Sequence, residues 1–141
     1  MTLREFYLER RRAEVPVFLN VLRAVPADHL SYKPHDRSPT AEQVVWTVTS
    51  ELRACLDAAT HYKAEWKAEP PRSLREMVHL FERWSNELTD VVAKMDEASW
   101  NRVWFILFNA IHHRGQLSAY LRPMGGTVPA IYGPSADSRT I

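Results

Sequence analysis

Three sets of polar side chains recur at helical spacing inside otherwise apolar stretches, and these are the residues equipped for chemistry. Arg10 and Glu14 stand i, i+4 in the first apolar segment, and Thr47 and Glu51 do so in the second. Asn109, His113, Gln116 and Tyr120 share one face of the last segment with Ile106 and Leu117. At 3.6 residues per turn these spacings put each set on one side of a helix. An imidazole, a carboxylate and an amide meeting inside a bundle can hold a divalent cation, trade protons with a ligand, or close on one another. Burying any of them alone costs several kcal/mol, so they are expected to meet each other or a ligand.

Blander readings stand beside these. Arg10 and Glu14 are either inward-facing or a partly solvated ion pair near a helix end. His113 by itself is equally a hydrogen-bonded core histidine. His112 lies 100° away from it and points elsewhere. His29 and His35 sit in a proline-rich loop, and His61 and His79 fall on outward arcs. Cys55 lies mid-stripe and reads as a small core residue, since a nucleophilic thiol needs an activating cation beside it. The run Arg10-Arg11-Arg12 reads as a helix surface with one inward member.

Four periodic segments must position these groups. The first runs from Leu3 to Val25 with Thr2 as N-cap, and Pro16 inside it predicts a kink or break. A loop from Pro26 to Pro39 ends in Ser38-Pro39, a helix start. The second segment runs from Thr40 to Tyr62 with Val44, Val48, Leu52, Cys55 and Ala59 inward. Ser73 to Glu76 forms a capping box for the third, which runs to Met95 and has the cleanest stripe, from Leu74 and Met77 to Val92. The fourth runs from Ser99 to Met124, before Gly125-Gly126. The tail from Thr127 has no helical period but contains the apolar VPAIY, so it is expected to pack along the bundle. The fold class is therefore all-α: an up-down four-helix bundle with a packed irregular C-terminal tail, one domain spanning 1–141.

Composition narrows the function. The chain has 141 residues, 45% of them hydrophobic, with 18 basic against 17 acidic residues. A net charge of +1 removes the electrostatic case for nucleic acid. One cysteine permits no internal disulfide and points to a reducing, cytoplasmic setting. No apolar run reaches about 18 residues, so no membrane span is expected. No GxGxxG, Walker loop, CxxC or HExxH occurs. The start of the fourth segment, Val103 to Ile111, is apolar all round, and Trp46 points off its own stripe. The tail or a second subunit could cover that start, and both features favour a homodimer.

The stretch from Ile111 to Asp137, HHRGQLSAYLRPMGGTVPAIYGPSAD after the isoleucine, resembles the C-terminal signature of the DinB-like superfamily. AEQVVWTVTSE resembles that family's second-helix motif, where a Trp-His pair is usual. The resemblance implies a four-helix bundle, commonly a homodimer. It also implies a divalent metal held by three histidines, one on the second helix and an H-x3-H pair on the last. Characterised relatives include thiol S-transferases and a mycothiol-dependent maleylpyruvate isomerase. The founding member was named for DNA-damage induction. Carried across by position, the second histidine of the pair falls on His113, the first on Asn109, and the second-helix histidine on Thr47. Two of three imidazoles are thus replaced.

His113, Glu51 and Asn109 form at best a weak mixed site, suiting manganese, iron or magnesium better than tight zinc or nickel, or no metal at all. Arg10, Glu14, Gln116 and Tyr120 are the expected substrate contacts. The connection from Met95 to Arg102 is shorter than in many relatives. The expected function is a small-ligand binder or stress-response protein with an altered site. The alternative is a metal-dependent thiol S-transferase or hydrolase.

Overall fold

The computed structural model of the chain describes residues 1–61, 69–71, 73–101 and 103–139, with His61 placed by its backbone only. The expected end of the second segment at Tyr62 and the surface role of the His61 side chain lie outside the described residues. The elements are α1 (Leu3–Arg23), a short 3-10 turn (Ala27–His29), α2 (Ala41–His61), α3 (Leu74–Lys94), the single turn α4 (Glu97–Trp100) and α5 (Phe105–Leu121). The all-α bundle is as the sequence implies, and no strand occurs among the described residues.

Side-chain caps explain where the helices begin. Thr2 and Glu5 form a reciprocal capping box on α1, and Thr40 and Gln43 do the same ahead of α2. Ser73 accepts from the Glu76 amide at α3, and Asp96 from the Ser99 amide at α4. The sequence reading placed one helix from Ser99 to Met124. The chain instead makes the α4 turn and restarts at Phe105, where no side chain caps the helix. Pro16 breaks nothing: α1 runs through it, because the proline lies on the solvent face, where water can take the carbonyl its ring leaves free.

Cross-helix contacts set the directions. Arg23 pairs with Glu82 and Arg4 with Glu97, so α1 and α3 are antiparallel. Trp46 packs on Trp84, and Asp57 and Thr60 lie beside Asp90 and Val91, so α2 and α3 run the same way. Glu51 reaches Asn109 and Tyr120 reaches Pro39, which makes α2 and α5 antiparallel. Within the bundle class the order is up-down-down-up. The core is filled from all four long helices by Leu22, Leu52, Met77, Phe81, Leu88, Ile106 and Leu117.

The α3 stripe packs as its spacing predicts, and the stripe that spacing gives the first segment (Leu3, Phe6, Tyr7, Val17, Val21 and Val25) holds in part. Tyr7, Val21 and Val25 are buried, whereas Leu3 and Phe6 are 74% and 51% exposed, and Phe18, Leu19 and Leu22 are buried beside them. Arg10 is likewise displaced: it is exposed and pairs with Glu9 at 3.2 Å. Arg11 is the inward member of the arginine run, donating to Thr89 Oγ1 at 3.2 Å and to the Ser85 carbonyl at 3.3 Å. The charged start dilutes the apolar period of α1, so the wheel places Glu14 correctly but misses by one position, about 100°, at Arg10. Trp46 is not an outward residue either; it is half-buried against α3.

The tail packs as expected. Ala130 is buried, and Val128 and Ile131 lie on the core. Gly125, at φ +84°, turns the chain out of α5, and Asp137 ties the tail back through the Val128 amide and Arg122. No helix among the described residues is long and apolar enough to cross a membrane.

The arginine assignment is directly measurable. Arg11→Ala removes a buried stem and two hydrogen bonds and should cost about 2–3 kcal/mol in urea unfolding, whereas Arg10→Ala should stay within about 0.5 kcal/mol. The reverse ranking would restore Arg10 to the interior.

Candidate functional site

Where α2 faces α5, Glu51 projects inward at 4% exposure. Asn109 donates its amide N–H to Glu51 Oε1, and His113 Nε2 stands 3.6 Å from the same oxygen. Glu51 Oε2 is buried with no partner. Burial raises the Glu51 carboxyl from 4.5 to about 7, and the Asn109 hydrogen bond offsets part of that rise. His113 Nδ1 lies 3.2 Å from Gln116 Oε1, so a neutral imidazole that donates there turns an acceptor Nε2 toward Glu51. Gln116 Nε2 donates to Tyr120 Oη at 3.4 Å, and Tyr120 Oη donates to the Pro39 carbonyl at 3.1 Å. The result is a relay of polar groups along one face of α5. His112 stacks edge-on against His113 at 5.1 Å and is itself exposed, as its 100° offset requires.

The sequence reading grouped eight residues, and the fold sorts them into two places. Glu51, Asn109, His113, Gln116 and Tyr120 come together. Thr47 stands one turn before Glu51 and turns its hydroxyl onto its own helix, donating to the Gln43 carbonyl at 2.8 Å. Arg10 and Glu14 are not part of this site. Glu14 lies against a nearly opposite face of α5, bound to Arg114 by a buried ion pair, and Arg10 is at the surface.

Arg114 and Tyr132 are the residues that sequence reasoning missed. Arg114 is 3% exposed, with its guanidinium 4.5 Å over the Phe18 ring and 5.1 Å from the Tyr132 ring. Its other nitrogen donates to Tyr132 Oη at 2.6 Å, and Tyr132 Oη donates to Glu14 Oε1 at 2.9 Å. The signal was present: Arg114 sits inside the HHRG motif at helical spacing from Leu107 and Ile111, and Tyr132 is the aromatic residue of the apolar tail. Cys55 is a core residue whose thiol burial pushes up to about 12, which leaves it protonated and unreactive.

The donor set does not fit the three-imidazole metal that the resemblance implies. Among the described residues no three His, Cys, Asp or Glu side chains cluster so as to hold a metal ion. Only one carboxylate and one imidazole meet. Asn109 offers an N–H rather than its carbonyl, and the Thr47 hydroxyl is committed to its helix.

With this geometry in view, the chain's relatives can be placed. The bundle is of the DinB-like fold: it superposes on the crystal structure of a DinB-like protein from Bacillus subtilis with a TM-score of 0.69 at 18% identity, over 95% of this chain and 99% of that one. The family model described as DinB family matches residues 92–140, the segment that carries His113, Arg114 and the tail. The DinB-like resemblance therefore holds in the C-terminal signature and in the fold. No protein of curated function matches the sequence.

Two outcomes follow from the burial. A carboxyl raised from 4.5 to about 7 binds its proton more tightly in the folded state, so its stabilising effect is complete below about pH 4.5 and is lost as pH rises through about 7. Glu51→Gln should flatten this slope and raise stability at pH 8 by roughly 2–3 kcal/mol, read from unfolding midpoints across pH. An unchanged slope would remove Glu51 as its source. In the second network, Arg114→Met strands the Glu14 carboxylate and should cost about 3 kcal/mol or more, whereas Tyr132→Phe should cost about 1 kcal/mol. Equal losses would mean that the ion pair is not the central element.

Proposed function

We propose that this chain is a small-ligand-binding protein built on a DinB-like bundle, in which a hydrogen-bond relay takes the place of metal ligation. The observation that carries this reading is Glu51 Oε2, a carboxylate oxygen buried without a partner beside Asn109 and His113. An ionised Glu51 needs a donor there, and a protonated one needs an acceptor, so a hydroxyl, amide or amine on a small ligand completes the site in either state. His113, half-buried and hydrogen-bonded to Gln116, supplies the adjoining group able to hold or give up a proton. Replacing two imidazoles by Thr47 and Asn109 removes most of the affinity a transition metal would draw on.

The enzymatic alternative, a thiol transferase using a weakly held hard cation, is favoured by one feature only: the approach of His113 Nε2 to Glu51 at 3.6 Å. If bound, such a cation would be held by Glu51 and His113 and would lower the pKa of a thiol or water beside it.

Metal analysis of protein purified without an affinity tag separates the two readings. The unmodified protein should contain no stoichiometric zinc or nickel, and Thr47→His with Asn109→His should create tight zinc binding that also requires His113. A full-occupancy metal in the unmodified protein, lost in His113→Ala, would overturn the proposal. A double variant that binds no zinc would overturn the assignment of Thr47 and Asn109 as the replaced ligands.

A further inference from the structure

On the other side of α5 from Glu51, α1 and α5 run side by side. The gap at their starting ends is a cleft of about 500 Å³, walled by Phe6 and Tyr7 of α1, Trp100 of α4, Trp104 just ahead of α5, and Leu107 and Phe108 of α5. Phe6, Trp104 and Phe108 are exposed there. This is the apolar second side of α5, and the tail does not cover it: Tyr132 caps the Arg114 end instead. A concave, aromatic-walled space of this volume is the size that holds a small organic molecule.

Charge selects the class of molecule. Among the described residues two charged side chains line the cleft, Glu14 and Arg10. The Glu14 charge is already matched, one oxygen by Arg114 and the other by Tyr132. Arg10 is exposed, holds Glu9 by a single 3.2 Å contact at the surface, and keeps further N–H donors for another anion. A ligand in this cleft therefore meets aromatic walls and, among the described residues, the Arg10 cation at the rim. We infer that the cleft binds an amphipathic anion, a fused-ring or alkyl body carrying a carboxylate or sulfonate head that pairs with Arg10.

A second copy of the chain is the competing occupant. A two-fold axis through the cleft would set it against its own image and leave both unfilled, whereas one beside it would let an exposed aromatic of each copy enter the other's cleft. The inference assigns to a ligand part of the surface that the sequence reading gave to a homodimer. It stands apart from the Glu51 proposal, because the two sites lie on nearly opposite faces of α5.

The test uses 8-anilinonaphthalene-1-sulfonate on the full chain, with decanoate and decanol as competitors and light scattering alongside. The dye should bind one site per chain, and decanoate should displace it about tenfold more tightly than decanol. Arg10→Gln should weaken decanoate about tenfold and leave decanol unchanged, with the circular dichroism spectrum intact. Phe108→Asp should abolish both, and Arg83→Gln, on the surface of α3, should change neither. Equal competition by decanoate and decanol, or no effect of Arg10→Gln, would overturn the anion assignment. Failure of the dye to bind, with scattering reporting a dimer that Phe108→Asp dissociates, would overturn the ligand in favour of a second copy.

Discussion

The buried guanidinium of Arg114 is the constraint on which the arrangement turns. At 3% exposure an arginine without a carboxylate is not tolerated, so α1 must bring Glu14 against α5 at that height. The same demand draws the tail in: Tyr132 Oη bridges both partners, and its ring closes the guanidinium against Phe18. Three separate parts of the chain are tied at one point. With α1 pinned there, Arg11 turns toward α3 and Arg10 toward solvent, and the seam beyond Glu14 is left open as the aromatic cleft.

Helix α5 carries two chemistries on two faces. One face meets α2 with Asn109, His113, Gln116 and Tyr120, and the other meets α1 and the tail with Arg114. A helix so loaded cannot have a clean apolar stripe, and its start is apolar all round instead. Packing against α2 covers one side of that start, while Trp104 and Phe108 remain at the cleft.

The inner site gathers a carboxylate, an amide and an imidazole on the seam between α2 and α5. Asn109 and His113 converge with α2, and an amide N–H faces a carboxylate. Burial holds that carboxylate near neutrality in its titration, and one oxygen is left unpaired. Half-satisfied polar groups of this kind are costly in a core and are retained where a ligand or ordered water completes them.

Read alone, the sequence determined the element types, the caps at Thr2 and Ser73, the α3 stripe, the packed tail and the inward placement of Glu51, Asn109 and His113. These depend on local spacing and on residues whose partners lie within one helical turn. It also carried the DinB-like signature, a contiguous string. The tertiary structure alone decided that α2 and α3 run the same way, that the last helix restarts at Phe105, that Arg11 and not Arg10 is inward, and that Glu14 pairs with Arg114 across the bundle. Each of these depends on groups distant in the chain: the Glu14–Arg114 pair joins residues 100 positions apart. A helical wheel gives the angle of a side chain about its own axis, but only packing fixes the rotation of one helix against another and so names the partner.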